Sequence, residues 1–165
     1  MRLILGLGLL LFISCVVVHA STFVTDREPL NTGVLFLMAI PMFALFLMAV
    51  LVLKKNNRGT IARDIWKRAY SHVPRWVPIL TVLLAAYTFF NFVYSLVFLN
   101  DGLTPSMEQG LYVMQDHGHI VREISQAEYW RHSAYQLRGM STHLIMFTVI
   151  ALGILWSDHR KKMQL

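Results

Sequence analysis

The sequence predicts an all-α membrane protein: a four-span helical bundle with a small extracytoplasmic β-hairpin packed on an extended fourth helix. Three observations predict it. Of 165 residues, 56% are hydrophobic and only 15% charged, against about 45–50% and 25% in an ordinary soluble domain. The apolar residues fall in four runs, at 3–20, 33–53, 77–99 and 140–156, each close to the length of about 20 residues that a bilayer span needs. The third observation is how Lys and Arg divide between the segments that separate these runs.

Residues 54–76 carry a net charge of +6 and the tail after Trp156 carries +2, whereas residues 21–32 sum to −1 and residues 100–139 to −2. Basic residues are retained on the cytoplasmic side during insertion. The expected threading is therefore that of a bacterial inner-membrane protein with both termini cytoplasmic. The net charge of +6 follows from this topology and does not indicate nucleic-acid binding. The chain is one membrane domain, too short for four spans and a separate soluble catalytic domain. Its single cysteine, Cys15, excludes an intrachain disulfide and a cysteine-based zinc cage.

The first run is read as a retained span, with a signal peptide ending at Val18-His19-Ala20 as the rival. A lipoprotein signal ending at Cys15 fits less well, because Phe12 stands where Leu is expected and the apolar run continues. In the second run Pro41 is expected to kink the helix, and Met38, Met42 and Met48 read as packing or lipid-facing side chains. Residues 60–72 predict a short amphipathic helix on the inner surface, with Ile61, Ala62, Ile65, Trp66 and Ala69 on one arc and Arg63 and Lys67 opposite. Its aromatic and basic residues suit the headgroup layer, so membrane lipid is one expected partner. Pro74 and Pro78 end that helix and start the third span. In that span Tyr87, Asn91, Tyr94 and Ser95 form a polar stripe, and Asn91 must find a partner on another helix.

The segment 100–139 is the only extramembrane part large enough to carry specificity. Asn100-Asp101-Gly102 and Pro105 break the third helix. Residues 111–114 and 120–124, joined by Gln115-Asp116-His117-Gly118-His119, carry a β-hairpin signal. Ser125-Gln126-Ala127-Glu128 is a capping box, so a helix starts at Gln126 and runs without a break into the fourth span. On it Trp130, Ser133, Leu137 and Met140 share one arc, expected to receive Val113, Ile120 or Ile124 of the hairpin. Glu128, His132, Tyr135, Gly139 and His143 share the opposite, exposed arc.

The sequence contains no HExxH, glycine-rich phosphate loop, carboxylate pair or nucleophile–base pair at working spacing, so no catalytic residue is assigned. Glu128 and His132 stand four apart with His117 and His119 nearby, but packing the hairpin on the apolar arc aims its tip away from them, and no metal site is assigned. His19 and His143 both fall at the outer end of a span, which leaves haem ligation as an alternative, but no cofactor is assigned. The expected function is non-enzymatic binding of a membrane or extracytoplasmic protein through Asp116, His117, His119, Glu128, His132 and Tyr135, with Asn91, Tyr87 and Pro41 shaping the bundle. Accessory subunit of a membrane complex and protector against an incoming toxin are the two forms of that role. The alternative is a haem- or metal-binding redox protein that uses the outer histidines, His19, His117, His119, His132 and His143. In architecture alone, small, basic and multi-pass with short loops, the chain is similar to immunity proteins that block pore-forming toxins; the likeness covers no motif.

Overall fold

The computed structural model describes residues 1–56 and 62–164. The chain folds as α1 (Arg2–Ser21), α2 (Gly33–Asn56), α3 (Ala62–Ala69), α4 (Trp76–Val93) continued by a π-helical segment (Tyr94–Leu99), three strands, and α5 (Gln126–Met163). Four of these helices, α1, α2, α4 with its continuation, and α5, are long and apolar enough to cross a membrane.

The bundle is built around α5, which packs against α1, α2 and α4, while those three touch one another far less. In its most apolar stretch 61% of α5 is buried, against 17–22% in the other three. The difference follows from composition. α1, α2 and α4 are apolar on nearly all sides and leave residues such as Leu10, Leu37 and Phe89 uncovered, as lipid-facing helices do. α5 alternates large apolar side chains with Gly139, Ser141, Ala151, Gly153 and Ser157, small residues that admit neighbouring helices closely. One cluster gathers Leu45, Ala49, Tyr70, Val77, Ala151 and Leu155, and a second gathers Cys15, Val18, Leu35, Met42, Leu137 and Leu144.

The short helix expected at 60–72 spans Ala62–Ala69; Thr60 and Ile61 lie outside the described residues. Its end has a visible cause, since Ser71 Oγ donates to the Arg68 carbonyl at 3.0 Å in a turn over Tyr70, Ser71 and His72. Ala69 and Tyr70 are buried, and exposed Trp66 lies against Tyr70 with ring centroids 4.6 Å apart. Pro41 sits inside an unbroken α2.

The expected hairpin is a three-stranded antiparallel sheet, β1 (Thr104–Glu108), β2 (Leu111–Asp116) and β3 (His119–Glu123), in the order β1-β2-β3. β1 pairs Ser106 with Val113 and Glu108 with Leu111; β3 pairs Asp116 with His119 and Met114 with Arg122, with a bulge that leaves Val121 extra. Both turns are two-residue turns with left-handed backbone, Gln109-Gly110 at φ 51° and 84° and His117-Gly118 at φ 49° and 87°. This geometry matches the twist of the strands it joins. β1 was not expected because Pro105 argues against a strand; it is tolerated because β1 lies at the edge. The capping box forms as expected: Glu128 N–H donates to Ser125 Oγ at 3.3 Å and Ser125 N–H to Glu128 Oε2 at 2.9 Å.

The two arcs assigned to α5 need correction. Leu137 is buried, but in the cluster with α1 and α2 rather than under the sheet. Met140 and Ile120 are exposed, and Trp130 is half-buried. The sheet rests instead on the first turns of α5, through Tyr112 against Tyr129 at 4.9 Å and Arg122 paired with Glu128 at 3.7 Å. Beyond those turns, helices cover α5 from several directions, so His132 and Tyr135 are half-buried and Gly139 fully so. A two-faced reading suits a helix with one partner, and α5 has several.

Candidate functional site

The densest polar assembly lies where the last turn of α1 meets the middle of α4 and the sheet-side half of α5. The last turn of α1 presents His19, only 8% exposed. Its Nδ1 lies 2.9 Å from Ser141 Oγ on α5 and its Nε2 2.8 Å from Tyr87 Oη on α4. Ser141 Oγ also donates to the Arg138 carbonyl at 3.1 Å. A carbonyl only accepts, so this bond takes the serine proton. His19 Nδ1–H then donates to Ser141, and Nε2 accepts from the Tyr87 hydroxyl. Three helices are joined by one chain of hydrogen bonds in which each member is satisfied.

Arg138 closes the assembly. Its Nη2 donates to the Thr22 carbonyl at 2.7 Å, and its guanidinium lies 4.1 Å over the Phe23 ring and 5.3 Å from the Tyr135 ring. Asn91 finds its partner on α5 by donating to the Arg138 carbonyl at 2.9 Å, and Thr88 donates to the Thr142 carbonyl at 3.2 Å. Sequence reasoning noticed Tyr87 and Asn91 but missed Ser141 with His19, which lie 122 residues apart. His143, two residues from Ser141, takes no part in the hydrogen-bond chain: its Nδ1 meets the Gly139 carbonyl at 3.1 Å.

A second link lies closer to the sheet. Asn100, 2% exposed, accepts from His132 Nδ1 at 2.9 Å and donates to the His132 carbonyl at 3.3 Å. His132 stands on the part of α5 that precedes the apolar run. Burial, reinforced by the Arg122 charge, holds its imidazole below the ordinary histidine range. Glu128 is partly exposed at the first turn, and its carboxyl is held below the usual range by the backbone N–H and hydroxyl of Ser125.

The expected binding residues therefore divide into two groups. Asp116, His117 and His119 are exposed at the β2–β3 turn, with His117 Nδ1 2.6 Å from Asp116 Oδ1. Glu128, His132 and Tyr135 belong to capping and packing contacts, with His132 edge-on to Tyr135 at 6.0 Å. Among the described residues, no hydrogen bond or ion pair joins the turn to that second group, and no three His, Cys, Asp or Glu side chains group as metal ligands. β3 is exposed along its whole length, with Ile120 at 57% and Val121 at 55%. Between the loop of residues 28–32, β1 and α5 opens a mostly polar cleft of about 180 Å³. Comparisons of the chain with protein-family models, with curated proteins and with solved structures find no match.

Proposed function

We propose that the chain is a multi-pass protein of a bacterial inner membrane, with both termini in the cytoplasm, that acts without catalysis by binding another protein at its outer face. The observation that carries this reading is β3: an exposed outermost strand with two large apolar side chains, on a sheet fixed to the first turns of a helix that continues through the bundle. Such an edge offers unpaired backbone donors and acceptors, and proteins use edges of this kind to take up an extended segment of a partner. The opposite edge is blunted by Pro105. Asp116, His117 and His119 flank β3 and supply polar contacts for specificity. Accessory subunit of a membrane complex and protector against an incoming toxin both fit this surface.

The histidines of the buried assembly fit a clamp better than a reactive centre. With the serine proton directed to the Arg138 carbonyl, the arrangement favours the tautomer in which the His19 nitrogen facing Ser141 is the donor, and that tautomer is no base toward it. Retention of α1 is supported by its packing, because cleavage after Ala20 removes Cys15, Val18 and His19 from their contacts. Photo-crosslinking groups placed at His119 and Val121 in the native membrane test the reading. One protein captured at both positions, and lost from the His119 probe when Val121→Pro is added, is the expected result. Equal capture with and without that proline overturns it.

A further inference from the structure

Between the π-helical segment and α5, at the sheet-side end of the apolar helices, lies a cavity of about 240 Å³. Most of its wall is apolar, made by Phe92, Leu96, Leu103 and Met140. Phe92, Leu96 and Met140 are partly exposed on the face where lipid would lie. Four polar side chains interrupt that wall: Asn100 is bonded to His132 and Thr104 is exposed, which leaves Ser95 and Gln136. Ser95 is 1% exposed, and its hydroxyl has no hydrogen-bond partner among the described residues. Gln136 stands across the cavity, at the border with the neighbouring polar cleft.

A buried hydroxyl without a partner is costly, and it is out of character here: Thr81, Thr88, Ser141, Thr142 and Thr148 all bond backbone carbonyls. Ser95 lies in the π-helical segment, an irregularity frequent at functional sites. Gly139 completes the enclosure, since a Cβ there would stand 3.2 Å from Ser95 Cβ. An apolar cavity with a few convergent polar groups is the general form of a small-molecule site.

We infer that this cavity holds the acyl-ester region of a membrane lipid, with the ester carbonyl accepting from Ser95 Oγ–H and from the Gln136 amide. Both groups can donate, so a single ligand acceptor placed between them satisfies both. The apolar wall requires that acceptor to ride on a hydrocarbon body. The cavity lies at the end of the apolar helices, beside Tyr94, which stacks between Phe90 and Phe98 and is of a type enriched at the membrane interface. That is the depth at which lipid esters sit. The inference is independent of whether a protein partner binds β3.

The test uses the full chain in dodecyl maltoside, a detergent without a carbonyl, stripped of native lipid. Binding of a short-chain diester phosphatidylcholine and of its diether analogue is measured by saturation-transfer NMR below micellar concentration. Each neutral hydrogen bond is worth about fivefold in affinity, so the diester is expected to bind at least about fivefold more tightly. Ser95→Ala and Gln136→Leu should each remove about that factor for the diester and leave the diether unchanged. Thermal stability of lipid-free Ser95→Ala gives an independent reading: it should equal or exceed that of the parent, because no internal bond is lost. Equal affinity for diester and diether overturns the inference. So does a lipid-free Ser95→Ala that melts earlier, which would show an internal partner, or tighter binding of decyl-benzoquinone than of the diester, which would reassign the site to a quinone.

Discussion

Tyr87→Phe removes one hydroxyl from the three-helix clamp and leaves every carbon in place. The cost falls on His19, because its Nε2 is buried and has no other partner, whereas Tyr87 is 40% exposed. An acceptor stranded in a protein interior costs about 1–3 kcal/mol. Hydrogen bonds between membrane helices measure lower, averaging about 0.6 and reaching about 1.7 kcal/mol, since the separated helices also find partners. The burial of His19 places this bond at the upper end, about 1–1.7 kcal/mol. Replacing both partners, His19→Phe with Tyr87→Phe, should cost less than the two single changes added together, because no group is then left stranded. Unfolding equilibria in bicelles, read by steric trapping across all four proteins, give the coupling energy. The ¹⁵N resonances of His19 give the tautomer, expected to be protonated at Nδ1. A Tyr87→Phe protein as stable as its parent, or a His19 protonated at Nε2, would refute the reasoning; the second result would turn Ser141 into a donor toward a basic nitrogen.

Leu137→Ala, at a position 1% exposed, should cost about 2–4 kcal/mol, while Met140→Ala one turn away, on the exposed side, should stay within about 0.5 kcal/mol; the same unfolding assay separates them. Glu128 has a depressed carboxyl, so its contribution to the start of α5 is full above the unfolded carboxylate range and is lost as pH falls through its folded value. Amide exchange at the first turn of α5 should quicken on acidification, and Glu128→Gln should remove that pH dependence. Asp158→Ala deletes the acceptor of Asn56 at 2.9 Å and Lys162 at 2.6 Å. It should cost about 1.5–3 kcal/mol and speed exchange at the end of α2. Gly118→Val forces a branched residue to φ 87° and should destabilise the sheet by about 1–2 kcal/mol, seen as lost strand signal with the helices intact.

What the sequence made legible was whatever rests on local chemistry. The four apolar runs, the turn at His117-Gly118 and the capping box at Ser125 each depend on residues within a few positions of one another, and each forms. β1 escaped notice because Pro105 counts against a strand in any local reading, although an edge position removes the objection. The π-helical continuation of α4 leaves no compositional mark. The faces of α5 were misjudged for a physical reason: periodicity ranks one side of a helix against the other and is silent when helices pack around it. The clamp was out of reach altogether. Nothing near His19 names Ser141, and the fold alone brings them within hydrogen-bond distance.

The central position of α5 has a consequence for how the protein is made. Synthesis runs from the N-terminus, so α1, α2 and α4 leave the ribosome before the helix they share exists. Until it arrives they have few contacts with one another, and Thr88, Asn91 and the Nδ1 of His19 lack their partners on α5. For that interval the half-made molecule is a loose trio of hydrophobic rods carrying unsatisfied polar groups. Arrival of α5 ends the exposure in one step, since it satisfies all three groups at once. Abundance in the cell should then be governed less by the stability of the finished bundle than by how promptly α5 follows α4.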